Sequence, residues 1–256
     1  MIPNHSGERE HWIWDKRTTM SPATKQLMDR LHELSNTDIA AHSQRFFKTG
    51  KGEYREGDRF LGIRVPILRK CVREYRALSL DDALALLKSP FHEARLLALL
   101  MLVAKYSSAH SVAEHKAIYQ SYLSHTEFIN NWDLVDCSAE HIVGTYQFKR
   151  NRKPIYRLAG SKIIWERRIA VMSTFHFIKR DDFSDTLAIA ELLLGDNEDL
   201  IHKAVGWMLR EVGKRNRNTE EEFLLNHYKE MPRTMLRYAI EKLPESQRLA
   251  YLHGIK

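Results

Sequence analysis

The chain has 256 residues, 40 lysines and arginines against 33 aspartates and glutamates, a net charge of +7, and 43% apolar residues. With only 11 glycines and 7 prolines this composition suits a folded domain and excludes a fibrous or disordered chain. Cys71 and Cys137 give neither a disulfide framework nor a thiolate zinc site, and the longest apolar run, Leu96 to Ala104, has nine residues where a membrane-spanning helix needs about 20.

Residues 1–20 carry no sustained helical or strand period, and Glu8, Arg9, Glu10 and Asp15 interrupt any signal-like apolar stretch around Trp12 and Trp14. A loose N-terminal tail and a cytoplasmic location are expected. From residue 21 onward the chain predicts helix after helix. Ser21 can cap the first, with Pro22 as its first residue and Leu27, Leu31 and Leu34 as its apolar stripe. Gly50-Lys51-Gly52 reads as a turn. Leu84 and Leu87, then Leu96, Leu97, Leu100 and Val103 beyond Pro90, mark later helices. The β-branched residues are scattered, not gathered into alternating runs, so the fold class is all-α, with residues 21–256 as a single domain.

A weak internal repeat predicts the architecture. The segments EARLLALLMLV, NWDLVDCSAEHIV, WERRIAVMSTF, IHKAVGWMLREV and RTMLRYAIEKL align so that Arg95, Trp132, Arg168, Lys203 and Thr234 correspond, at spacings of 31 to 37 residues. A period in the mid-thirties holding two helices is the mark of an α-solenoid of HEAT-like helical-pair repeats, whose inner helices line a concave groove. Gly160, Gly195 and the Met231-Pro232 break punctuate the repeats.

The inner helices carry the chemistry. Asp133 and Asp136 are three apart on one helix, a turn's reach from Trp132; the next inner helix offers Trp165, Arg167 and Arg168, and the one after it Lys203, Trp207 and Arg210. Taken singly, these are also what helix-start acids, core indoles and solvated arginines look like. Register argues for a site: if Trp132 faces the groove, so do Arg168 and Lys203, with Asp136 and Trp207 one turn on. Two basic clusters, Lys149, Arg150, Arg152, Lys153 and Arg157, then Lys214, Arg215 and Arg217, are either solvated helix ends or phosphate contacts, and the pI near 9.3 suits a polyanionic partner. The 13 histidines form no HExxH, His110 and His115 are off a common helical face, and Ser138 has no evident base partner. No metal or cofactor is expected.

At these residues the chain resembles the AlkD-like DNA alkylation repair glycosylases, which are built from HEAT-like repeats. The similarity spans about residues 39 to 245 and rests on FLGIRVPILRK (60–70), NWDLVD (131–136), WERRIAVM (165–172) and LIHKAVGWMLRE (200–211), in order and at near-family spacing. Carried over, the family's catalytic aspartate falls on Asp136, its groove tryptophans on Trp132 and Trp207, and its phosphate-binding arginine on Arg168. The chain departs from one member of that family at Asn131, where that member has a second tryptophan, and at Phe46, where it has a tyrosine.

The resemblance implies a monomeric glycosylase that excises cationic N3- and N7-alkylated purines from duplex DNA. Asp136 would stabilise an oxocarbenium-like sugar and position water, Arg168 would hold it ionised and grip a phosphate, and Trp132 and Trp207 would pack on the deoxyribose. It implies a groove that leaves the damaged base in the stack, contrary to the usual extrusion. Phe46, Lys203 and Arg210, with Lys149, Arg150, Arg152, Lys214 and Arg215, are the expected DNA contacts. A non-catalytic HEAT-like scaffold remains the alternative, but it would not need a carboxylate in a basic groove.

Overall fold

The computed structural model describes residues 20–53 and 56–256, so the expected N-terminal tail lies, Met20 apart, outside the described residues. Helices follow one another in short steps: α1 (Pro22–Glu33), α2 (Thr37–Phe46), α3 (Val65–Glu74), α4 (Leu80–Leu87), α5 (His92–Ser108), α6 (Val112–Leu123), α7 (Trp132–Asp136) and α8 (Thr145–Gln147). Then come α9 (Lys153–Ala159), α10 (Ile164–Ser173), α11 (Phe175–Ile178), α12 (Ser184–Leu192), α13 (Asp199–Arg215), α14 (Arg217–His227), α15 (Arg233–Ala239) and α16 (Glu245–His253). Among the described residues the sole β feature is an isolated bridge between Arg59 and Phe91. None of these helices is long and apolar enough to cross a membrane.

Local chemistry sets the boundaries. Ser21 caps α1 by accepting from the Thr24 N–H, with Pro22 in the first turn. Ser79 with Asp82, and Ser111 with Glu114, form reciprocal capping boxes at α4 and α6. Gly50-Lys51-Gly52 lies in a turn.

Packing realises the repeat. The inner helices α5, α7, α10, α13 and α15 stack in that order, and α4, α6, α9, α12 and α14 cover them from behind. α5 is sheathed on almost every side, with Ala94, Leu97, Ala98, Leu99 and Leu102 fully buried, which explains why its sequence is apolar with little amphipathic contrast. Two glycines set the inter-repeat distance. A Cβ on Gly144 would lie 2.3 Å from the Ser173 carbonyl oxygen, and one on Gly206 2.4 Å from that of Met235, so neighbouring inner helices touch backbone to backbone there.

The second inner helix is irregular. After α7 it turns at Cys137 and Ser138, where the Ser138 hydroxyl donates to the Leu134 carbonyl at 2.6 Å, and passes through a π-helical turn, Glu140–Gly144, before α8. This break separates the end that carries Trp132 and Asp136 from the end that carries Lys149, Arg150 and Arg152.

Candidate active site in the concave groove

A cavity of about 540 Å³ opens between α7, α10 and α13, lined by Phe46, Lys48, Trp132, Asp136, Arg168, Lys203 and Trp207, with Glu198, Asp199, Leu200 and Tyr238 completing its wall. The register argument therefore holds where it matters: Trp132, Arg168 and Lys203, from three successive repeats, share one cavity with Asp136 and Trp207. Arg95, aligned with them, does not. Its side chain turns inward, where one terminal nitrogen donates to both oxygens of Asp58 at 2.7 and 2.8 Å.

Asp136 and Arg168 form the polar centre. Arg168 donates from Nε to Oδ1 at 2.8 Å and from Nη2 to Oδ2 at 2.7 Å, while Nη1 donates to the Leu200 carbonyl at 2.6 Å. All three guanidinium nitrogens are engaged and the side chain is 6% exposed, against 17% for Asp136. In the free protein Arg168 is thus held against the carboxylate, with one further N–H on each of its two terminal nitrogens. Burial pushes the Asp136 carboxyl above the ordinary range, and Arg168 opposes that shift by stabilising the anion.

The walls are aromatic. Trp132 opens α7, its backbone N–H donating at 2.8 Å to the Asn131 side chain, so Asn131 is a buried N-cap. Phe47 stacks on Trp132 at 5.4 Å, and Phe46, 59% exposed, meets the indole edge-on at 6.1 Å. Trp207 is half-buried beside Phe175, and its indole N–H donates to Glu211 at 3.0 Å. Lys203 pairs with Asp199 at 2.8 Å; burial works against the Asp199 anion, but the bonds from Lys203 and Thr234 hold its carboxyl below the usual range.

Asp133 and Asp136 do not serve one site. α7 is the partition between two cavities, and Asp133 lines the other, of about 640 Å³, with Phe47, Phe60 and His92. There the Asp133 carboxylate bonds His92 Nε2 at 2.8 Å.

The remaining basic candidates lie outside the cavity lining. Arg210 pairs with Glu241, Lys214 with Glu211 at 2.7 Å and Arg215 with Asp181 at 2.6 Å. Arg152 is tied to Asp182 and Asp185 and lies 4.2 Å over the Phe177 ring; Arg150 donates to the Tyr146 carbonyl at 2.6 Å, and Lys149 is exposed. Sequence reading passed over Phe47, Lys48, Glu198, Asp199, Tyr238 and the His92 cluster. The available signal for the last was His92, Glu93 and Arg95 at the head of an otherwise apolar helix. Among the described residues no group of three or more His, Cys, Asp or Glu is arranged to hold a metal ion.

An all-α stack of helical pairs with a carboxylate, an arginine and two indoles in its concave groove defines a class of protein, and the comparisons agree. The family model for DNA alkylation repair enzymes matches residues 27–243, and the chain belongs to that family. A solved structure described as a predicted DNA alkylation repair enzyme from Enterococcus faecalis has the same fold, with a TM-score of 0.64 at 18% identity over 82% of this chain and 97% of that one. No curated protein sequence matches the chain.

Proposed function

We propose that the protein is a DNA glycosylase that hydrolyses the N-glycosidic bond of cationic N3- and N7-alkylated purines in duplex DNA. The observation that carries this reading is a carboxylate, Asp136, oriented by a two-point guanidinium contact at the wall of an aromatic cavity. An alkylated purine already bears positive charge, so its departure needs little acid assistance. What must be stabilised is the oxocarbenium-like sugar left behind.

Asp136 supplies that stabilisation. The two-point contact fixes the carboxylate before substrate arrives, so little reorganisation is needed as charge develops on the sugar. Its partly open edge can also accept a proton from water approaching the anomeric carbon. Trp132 and Trp207 offer apolar faces to the deoxyribose and π-faces to the cation, each contact worth about 1 to 2 kcal/mol when desolvated. Phe46, Lys48 and Lys203 at the cavity wall would meet the backbone, and a groove that reaches sugar and phosphate does not require extrusion of the base.

The test is release of 7-methylguanine from methylated duplex DNA by the wild type and Asp136→Asn. The variant is expected to lose at least about 100-fold in single-turnover rate while remaining folded, with a lowered melting temperature, and retaining most duplex affinity. Excision at a near wild-type rate would remove Asp136 from the role. A wild type that binds duplex DNA and releases no methylated or bulkier alkylated base would overturn the reading in favour of a scaffold.

A further inference from the structure

α5 opens on His92, and each of its ring nitrogens meets a carboxylate: Nδ1 is 3.2 Å from Asp58 Oδ2 and Nε2 is 2.8 Å from Asp133 Oδ2. A neutral imidazole has one N–H, so its bare nitrogen would face a carboxylate lone pair; the imidazolium donates to both. Burial works against that charge, but Asp133 and Asp58 outweigh it, and the group titrates above the ordinary histidine value.

The same ring belongs to an aromatic column that ends in the groove. Phe60 stacks on His92 at 4.6 Å, Phe47 lies 4.9 Å from His92, and Phe47 stacks on Trp132 at 5.4 Å. Trp132 is therefore held twice from His92, through Phe47 against its face and through Asp133, the residue next to it in the chain.

We propose that His92, as an imidazolium bridging Asp58 and Asp133, is a positioning residue that fixes Trp132 and, one turn further along α7, Asp136. Its consequence for catalysis rests on the glycosylase reading; the clamp itself does not. Other charged groups share the cavity with the ring. α2 presents Asp38 and His42 to the same cavity, and the loop before α3 presents Arg64. On α5 itself, Glu93 is committed to the N–H groups of Leu61, Gly62 and Ile63, and Arg95 to Asp58.

Two measurements test the clamp. In the first, single-turnover release of 7-methylguanine is followed for the wild type and His92→Gln between about pH 6 and pH 9, and the ratio of their rates is taken at each pH, which cancels titration of the substrate. The variant is expected to be about tenfold slower where the wild-type ring is charged, with the ratio closing toward one as the proton is lost. A ratio that does not change with pH would reduce His92 to ordinary packing and overturn the proposal.

The second needs no activity and no His92 variant. Trp132 emission, taken as the difference between the protein and Trp132→Phe, is expected to show a step with pH that Asp133→Asn moves to lower pH. A flat emission, or a step that Asp133→Asn leaves in place, would equally overturn it. A wild type that releases no base would defeat the glycosylase reading alone, and the emission would still decide the clamp.

Discussion

Arg168 of α10 donates to both oxygens of Asp136 on α7 and to the Leu200 carbonyl at the start of α13, so one side chain ties three successive inner helices. The contact sets both the direction of the carboxylate and its charge. Lysine keeps the charge but offers a point donor where the guanidinium offers a planar fork. Arg168→Lys is therefore expected to lower single-turnover excision about 10- to 100-fold with duplex affinity nearly unchanged. Arg168→Met also removes the cation that favours the anion. The Asp136 carboxyl then rises further, and because it acts as the anion, the acid limb of the pH–rate profile should move to higher pH. An unmoved limb would mean that Asp136 does not govern it.

The spacing of the groove walls depends on Gly206. Any side chain there meets the Met235 carbonyl oxygen at 2.4 Å and the Tyr238 Cβ at 2.6 Å, neither of which can swing away. Gly206→Ala should cost about 1 to 3 kcal/mol through forced separation of α13 and α15. Chemical denaturation measures that directly. Gly195→Ala, where an added Cβ meets nothing within 4 Å, serves as the matched control and should be close to neutral.

The repeat was legible because its signals are local. Apolar residues at threes and fours predict each helix, and the mid-thirties spacing places Trp132, Arg168 and Lys203 in one register, which packing then converts into a shared cavity. The His92 cluster was not legible, because Asp58 sits in irregular chain ahead of α3 and reaches His92 only through the loop that Glu93 anchors. No periodicity encodes that approach. Arg95 misled the alignment for a related reason: this loop covers the first repeat, so the register position that faces the groove elsewhere faces Asp58 here. Asp133 and Asp136 share a helix face in projection, yet three residues turn the helix by about 60° short of a full rotation, enough to send two carboxylates to opposite sides of a thin partition.

The basic residues separate into two kinds. Arg152 is committed to Asp182 and Asp185 and stacks on Phe177, whereas Lys149 is exposed. Arg152→Ala should lower the melting temperature and leave the salt dependence of duplex binding unchanged. Lys149→Ala should do the opposite, reducing the slope of log K against log salt by about 0.9 if it contacts one phosphate, with no loss of stability. A slope that stays put in Lys149→Ala would remove that lysine from the interface.

Glu220 on α14 makes the stability of the protein depend on pH. Its side chain is buried at 2% exposure beneath Gly213, where an added Cβ would lie within 1.8 Å of its carboxyl, and Oε1 has no hydrogen-bond partner. Burial pushes the carboxyl from an ordinary 4.5 up to about 8, with Arg217 only partly opposing the shift. Between those two values the folded state keeps a proton that the unfolded chain has released. The contribution of this group to stability is therefore full below the unfolded value and is lost progressively as pH rises through the folded one. Glu220→Gln keeps the shape and cannot ionise, so its melting temperature should gain on that of the wild type as pH rises from about 4.5 to about 8, and the gap should level off above that. Melting curves recorded across that range decide the matter: parallel pH dependence in the two proteins would show that Glu220 is not the buried group that titrates.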